Sequence, residues 1–255
     1  MPIPERMKPT FAPPPPTQTV EARKRLIVAL DVPTAEAAQE LVARLDGTCQ
    51  WFKVGLELFT AAGPAIVETL AVRGYSVFLD LKFHDIPNTV AGAVRSATRL
   101  GVRMMTVHAA GGPAMLTTAR EALDGAADPP QLLAVTVLTS MDAAQLQSAG
   151  VKHTPAAQVE LLAKMGLQAG IHGFVCSPEE VAALRALTGP AGVLVVPGIR
   201  PQGADAGDQK RLATPTATLH AGASFLVIGR PITQATEPAE AAAAILNEMS
   251  AAFAL

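Results

Sequence analysis

From Leu26 onward the chain alternates short β-rich runs with longer stretches of helical periodicity, and this alternation limits what it can fold into more than any other feature. The runs are Leu26–Leu30, Trp51–Val54, Val77–Leu79, Met104–Val107, Leu132–Val137, Gly173–Cys176, Val193–Val196 and Phe225–Ile228. Between them lie segments such as Ala35–Leu45, Ala61–Val72, Val90–Leu100, Ala156–Gly166 and Pro178–Leu187, with apolar residues at helical spacing. Pro33-Thr34 marks one helix start and Ser177-Pro178-Glu179-Glu180 another. Strands joined by helical crossovers run parallel. Eight repeats in about 230 residues predict one (β/α)8 TIM barrel. On pattern alone, an open doubly wound sheet remains the alternative.

The barrel domain is expected over residues 22–255, with no linker to split it. Residues 1–21 stand apart: Met1–Val20 holds seven prolines, including Pro13–Pro16, and reads as a flexible or polyproline-II tail. With 255 residues, 49% of them hydrophobic, the chain can bury a sizeable core. A net charge of −2, from 20 basic and 22 acidic residues, argues against a nucleic-acid binder or a membrane-surface protein. It leaves room for a small anionic ligand held by a few local cations. No apolar run is long enough for a membrane span, and the N-terminus has no signal-peptide pattern. Cys49 and Cys176 lack metal or CxxC spacing and read as reduced thiols, so a cytoplasmic location is expected.

A barrel of this kind carries its chemistry where strands end and βα loops begin. Polar and ionisable residues gather there: Asp31 after run one, Lys53 near the end of run two, Asp80-Leu81-Lys82 after run three, and His108 after run four. Thr139-Ser140 follows run five, Gly198-Ile199-Arg200 run seven and Gly229-Arg230 run eight. Residues i and i+2 of a strand share a face, so Asp80 and Lys82 are expected to project together. Asp85 lies where the chain is already turning, and Pro87 can open the next helix. With Lys53 from the neighbouring strand, the expected array is Lys53, Asp80, Lys82, Asp85. A single Asp–Lys pair is more often a structural salt bridge, but four ionisable residues on adjacent strand ends favour function. Lysines interleaved with the carboxylates would compete with a cation, so no metal site is assigned.

Gly229-Arg230 lies where barrels commonly bind phosphate, through backbone N–H groups joined here by a guanidinium. The long segment from Gly198 to Thr214 is rich in Gly, Asp and Gln and reads as a lid carrying Arg200 and Gln209. The five histidines show no metal-binding spacing. His108, at a strand end, can reach the site but reads more readily as a core or rim histidine, and His84, between Lys82 and Asp85, is expected to point away from them.

The stretch Asp80-Leu81-Lys82-Phe83-His84-Asp85-Ile86-Pro87-Asn88-Thr89 resembles the signature of the orotidine 5′-phosphate decarboxylase family. Leu30-Asp31, Phe52-Lys53-Val54-Gly55, Val137-Leu138-Thr139-Ser140-Met141, Gly198-Ile199-Arg200-Pro201 with Asp208-Gln209, and Val227-Ile228-Gly229-Arg230-Pro231-Ile232-Thr233 resemble the family's other motifs in order. The resemblance implies conversion of orotidine 5′-monophosphate (OMP) to UMP and CO2 without metal or organic cofactor. It implies a homodimer in which Asp85 and Thr89 reach the partner's site, beside that subunit's Asp80 and Lys82. Asp31 and Lys53 are then expected on the ribose, Thr139 and Ser140 near the pyrimidine, Gln209, Gly229 and Arg230 on the phosphate, and Arg200 among the substrate-binding residues of the lid. A Mg2+-dependent sugar-phosphate decarboxylase of related sequence and a catalytically silent nucleotide-binding protein are the rival readings. The first would lose activity in EDTA, and the second would lack a member of the charged cluster.

Overall fold

The computed structural model describes residues 17–201 and 213–253. Each expected run forms a strand: β1 Leu26–Ala29, β2 Trp51–Gly55, β3 Ser76–Phe83, β4 Met104–His108, β5 Gln131–Val135, β6 Gly173–Val175, β7 Val193–Val196 and β8 Phe225–Ile228. They close in sequence order into a parallel barrel. The seam joins β1 to β8, with Leu26 opposite Leu226 and Ile27 opposite Val227. The open doubly wound sheet is thereby excluded. β3 extends four residues past its apolar run, because the charges at its end interrupt the hydrophobic pattern without ending the strand.

Strand alternation divides the apolar residues into two cores. Leu26 and Val28 of β1, Phe52 and Val54 of β2, Val77 and Leu79 of β3, and Met105 and Val107 of β4 face outward into the large core under the helices. Their neighbours Ile27, Ala29, Phe78, Met104, Leu133, Val195 and Val227 fill the barrel interior, joined by Trp51 and Phe225. Trp51 meets Phe225 edge-on, with ring centroids 5.3 Å apart, near the amino-terminal end of the barrel. Each fully buried aliphatic or aromatic side chain contributes about 1.5–3 kcal/mol. The apolar filling stops part-way up. Above it the same inward register holds Lys53, Asp80, Thr106 and His108.

The helices begin where the sequence signals them. The Thr34 hydroxyl accepts from Ala37 N–H at the start of Ala35–Arg44, and Ser177 and Glu180 form a reciprocal capping box. Pro87 opens Pro87–Thr98. The single helix expected over Ala61–Val72 is instead two, Leu56–Ala62 and Pro64–Val72, broken at Gly63, whose φ of 64° favours glycine.

The tail boundary also needs correction. A helix runs over Thr17–Arg25, so residues 17–21 belong with the barrel; residues 1–16 lie outside those described. The proline count hid this helix, although the stretch after Pro16 is free of proline. Ala22 is fully buried, Arg23 donates to the carbonyls of Thr48 and Gly47, and Arg25 stacks over Phe253. These contacts seat the helix against the amino-terminal end of the barrel. No helix among the described residues is long and apolar enough to cross a membrane.

Candidate active site

The strand ends bring Asp31, Lys53, Asp80 and Lys82 together, with signs alternating. Lys53 Nζ donates to Asp31 Oδ1 at 2.8 Å and lies 3.8 Å from Asp80 Oδ2. Lys82 Nζ is 3.0 Å from both oxygens of Asp80. Lys53 and Asp80 are the most enclosed members, with side chains 11% and 13% exposed, whereas Asp31 is 58% exposed.

The array therefore differs from the expected one at one end. Asp31 occupies it, and Asp85 does not join within a single chain. The Asp85 carboxylate accepts the Ile86 N–H at 2.6 Å and is exposed, as are Ile86 and Thr89. Asp85 lies beyond the strand, where the chain turns into Pro87–Thr98.

Asp80 and Lys82 do meet, but not through regular strand periodicity. Leu79 pairs with Met105 and Phe83 with Val107, so β3 advances four residues while β4 advances two. The bulge contains Lys82 at φ 51°, the one non-glycine residue with positive φ among those described. Left-handed backbone costs an ordinary L-residue about 1–2 kcal/mol, and such conformations cluster at functional sites. Thr106 supports the bulge: its Oγ1 accepts the Lys82 N–H at 2.8 Å and lies 3.1 Å from Asp80 Oδ1. Sequence reading missed Thr106 because it lies inside an apolar run. Its one signal was a polar side chain sharing strand parity with His108.

The His108 and His84 rings stack, with centroids 5.3 Å apart and planes 17° from parallel. His108 Nδ1 accepts the Ala110 N–H at 3.2 Å, leaving any ring hydrogen of the neutral form on Nε2. Burial, followed by the nearby His84 and Lys82 charges, lowers the His108 pKa below the ordinary 6.5. Gly55, at the end of β2, makes room for Lys53: a Cβ there would sit 2.8 Å from Lys53 Nζ and 3.4 Å from Asp31 Oδ1.

Beside the array lies a cleft of about 470 Å³ whose lining includes Asp31, Lys53, Gly198, Arg200, Gly229 and Arg230. The structure thus places the two expected arginines around one hollow. Arg200 N–H donates to the Ala213 carbonyl, and Ile199 bridges Ala213. Gln209 lies outside the described residues. Thr139 and Ser140 form a turn after β5, with Thr139 half-buried and Ser140 exposed. Two larger hollows, of about 670 and 860 Å³, open among the loops preceding β4, β5 and β6. That is the end of a barrel where conservation of structure, not chemistry, is the usual role. Among the described residues no group of three or more His, Cys, Asp or Glu side chains could hold a metal ion.

These features place the chain among (β/α)8 barrels that carry their chemistry at the carboxyl ends of their strands. The sequence model of the orotidine 5′-phosphate decarboxylase / HUMPS family matches residues 24–245. A protein of Halorhodospira halophila named orotidine 5′-phosphate decarboxylase is 53% identical over 234 residues, which are 92% of this chain and 99% of that protein. Its namesake from Moorella thermoacetica is 52% identical over 236 residues, 90% of this chain and 94% of that one. The crystal structure of orotidine 5′-phosphate decarboxylase from Lactobacillus acidophilus superposes with a TM-score of 0.78 at 39% identity, covering 88% of this chain and 98% of that one. The chain belongs to the orotidine 5′-phosphate decarboxylase / HUMPS family.

Two outcomes test this geometry. Gly55 has φ −98°, which any residue adopts, so Gly55→Ala should fold with stability within about 1 kcal/mol of the parent. Its crystal structure should show Lys53 Nζ pushed away from Asp31, and an unmoved ammonium would refute the crowding argument. For His108 the lowered folded pKa makes the neutral ring the favoured form. Its contribution is full above about 6.5 and is lost as pH falls through that value toward the folded pKa. The urea midpoint should therefore drop more between about pH 7.5 and 5.5 in the parent than in His108→Asn. Equal drops would remove His108 from this role.

Proposed function

We propose that the chain converts orotidine 5′-monophosphate to UMP and CO2, the last step of de novo pyrimidine synthesis, in the cytoplasm and without a metal or organic cofactor. The observation that carries this reading is the Lys82 ammonium held against Asp80 at the barrel mouth, 3.0 Å from both carboxylate oxygens. Two relatives of about half identity, both named orotidine 5′-phosphate decarboxylase, support the nucleotide substrate over a sugar phosphate.

Loss of CO2 breaks the bond from C6 to the carboxyl carbon and leaves the electron pair on C6, in the ring plane. No ring carbonyl can accept that pair as an ordinary enolate. The Lys82 ammonium beside C6 stabilises the developing charge and then gives up a proton, forming the C6–H bond and leaving a neutral amine. Asp80 lies near the departing carboxylate and repels it in the ground state. Lys53 holds Asp80 from the other side and, with Asp31, contacts the ribose hydroxyls. Thr139 and Ser140 border the pyrimidine. Arg230, the Gly229 N–H, Arg200 and Gln209 grip the phosphate, and that remote binding energy is used to position and desolvate C6. The active form is a homodimer. Asp85 and Thr89, exposed in one chain, reach the partner's site beside its Asp80 and Lys82.

Ultraviolet absorbance of OMP mixed with purified protein tests the activity directly. Turnover that survives EDTA excludes the Mg2+-dependent alternative. Lys82→Ala should lose at least about 10²–10³-fold in kcat with an unchanged circular dichroism spectrum, and retained turnover would refute the proton-donor role. Arg230→Ala should weaken OMP binding by about 2–5 kcal/mol, and unchanged affinity would refute the phosphate assignment.

A further inference from the structure

The geometry points to Thr106 as a positioning residue for the reaction, one whose hydroxyl sets both the backbone of Lys82 and the carboxylate of Asp80. This rests on the reading that Lys82 and Asp80 flank the reacting carbon. β3 and β4 fall out of step between Leu79 and Phe83. Pairing is regular through Leu79 and Met105 and resumes at Phe83 and Val107. Asp80, Leu81 and Lys82 therefore stand opposite Thr106 alone. A bulge of this kind takes backbone groups out of the ladder, and a buried N–H without an acceptor is costly. The Thr106 side chain supplies the acceptor for Lys82, at 2.8 Å.

The same oxygen lies 3.1 Å from Asp80 Oδ1. A hydroxyl has one hydrogen to give and lone pairs to receive. The Lys82 N–H can only donate, and an ionised carboxylate can only accept. The direction of both bonds is therefore fixed: Thr106 receives from Lys82 and gives to Asp80. Thr106 is fully buried, so solvent does not compete for either bond. The β4 register turns it inward, between the outward Met105 and Val107. One hydroxyl thus ties the left-handed residue at φ 51° to the carboxylate that its own ammonium touches. While both bonds hold, the Lys82 backbone and the Asp80 carboxylate keep a fixed relation to one another. Thr106 touches neither end of the phosphate cleft, so its effect belongs on the chemical step.

The experiment compares Thr106→Val, which keeps the shape and removes the hydroxyl, with Thr106→Ser, which keeps the hydroxyl and removes a methyl. Steady-state decarboxylation of OMP is measured for both, and Lys82→Ala is run alongside. Thr106→Val should lose about 100-fold in kcat while KM stays within about threefold, and Thr106→Ser should stay within about fivefold of the parent in both. In the crystal structure of Thr106→Val, Lys82 should leave the left-handed region. If Thr106→Val does not fold, Thr106→Ala carries the same expectation. A folded hydroxyl-free variant with kcat within about threefold of the parent would overturn the proposal, as would Thr106→Ser falling as far as Thr106→Val. The parallel variant separates the two levels. Retained turnover in Lys82→Ala overturns the role given to Lys82 itself, whereas an inactive Lys82→Ala beside a fully active Thr106→Val overturns the role of Thr106 alone.

Discussion

The Asp80 carboxylate is 13% exposed and has Lys82 and Lys53 on two sides and the Thr106 hydroxyl on a third. Taking such an ion from water costs several kcal/mol. One neighbouring ammonium at about 4 Å returns roughly 4 kcal/mol at the effective dielectric of a protein surface. Two ammoniums and a hydroxyl are therefore the scale of compensation this carboxylate requires, and the remaining architecture provides them. β2 delivers Lys53, the β3 bulge turns Lys82 back, and β4 supplies Thr106. A partly buried ion cluster of this kind is weak evidence for net stability, because desolvation of its members offsets their attraction. The proposed function gives the same charges a catalytic use.

The barrel makes this balance possible by separating two kinds of interior. Inward-facing side chains low in the barrel are apolar and pack on one another, Ile27 with Phe78, Met104, Leu133 and Val227. Above them, the same alternation places Lys53, Asp80, Thr106 and His108 over a floor that does not yield. Charges on rigid strands keep their spacing without reorganising, the condition under which fixed dipoles and ions act most strongly on a developing charge. At the other side of the site, the proposed phosphate contacts come from a four-residue helix beginning at Arg230 and from the loop start at Arg200. In the proposed function those groups grip an anion and do not hold a reacting atom in register.

Much of this was legible in the sequence. The eight runs and their helical partners gave the barrel, because parallel strands buried on both faces read as continuous apolar stretches such as Leu26–Leu30 and Val193–Val196. The charges at strand ends were legible for the converse reason: ionisable residues are rare in buried strands and stand out. Three things were not. The helix over Thr17–Arg25 is short and polar, and its stability comes from docking, which no local pattern records. The bulge at Lys82 depends on pairing between β3 and β4, and strand parity assumes a regular ladder. Thr106 is unremarkable among its apolar neighbours, and its importance comes from a partner strand more than twenty residues away.

The edge-on contact between Trp51 and Phe225 has a practical consequence for observing this molecule in solution. Trp51 is the chain's single tryptophan, and it lies at the floor of the barrel on the strand that carries Lys53 two residues further on. Its emission therefore reports from one known place. That place senses whether β1, β2 and β8 remain closed around the inner core, while the nucleotide chromophore would be at the opposite end of the same strands. Fluorescence and substrate absorbance thus look at the two ends of the barrel separately, and loss of closure can be told from loss of chemistry in one sample.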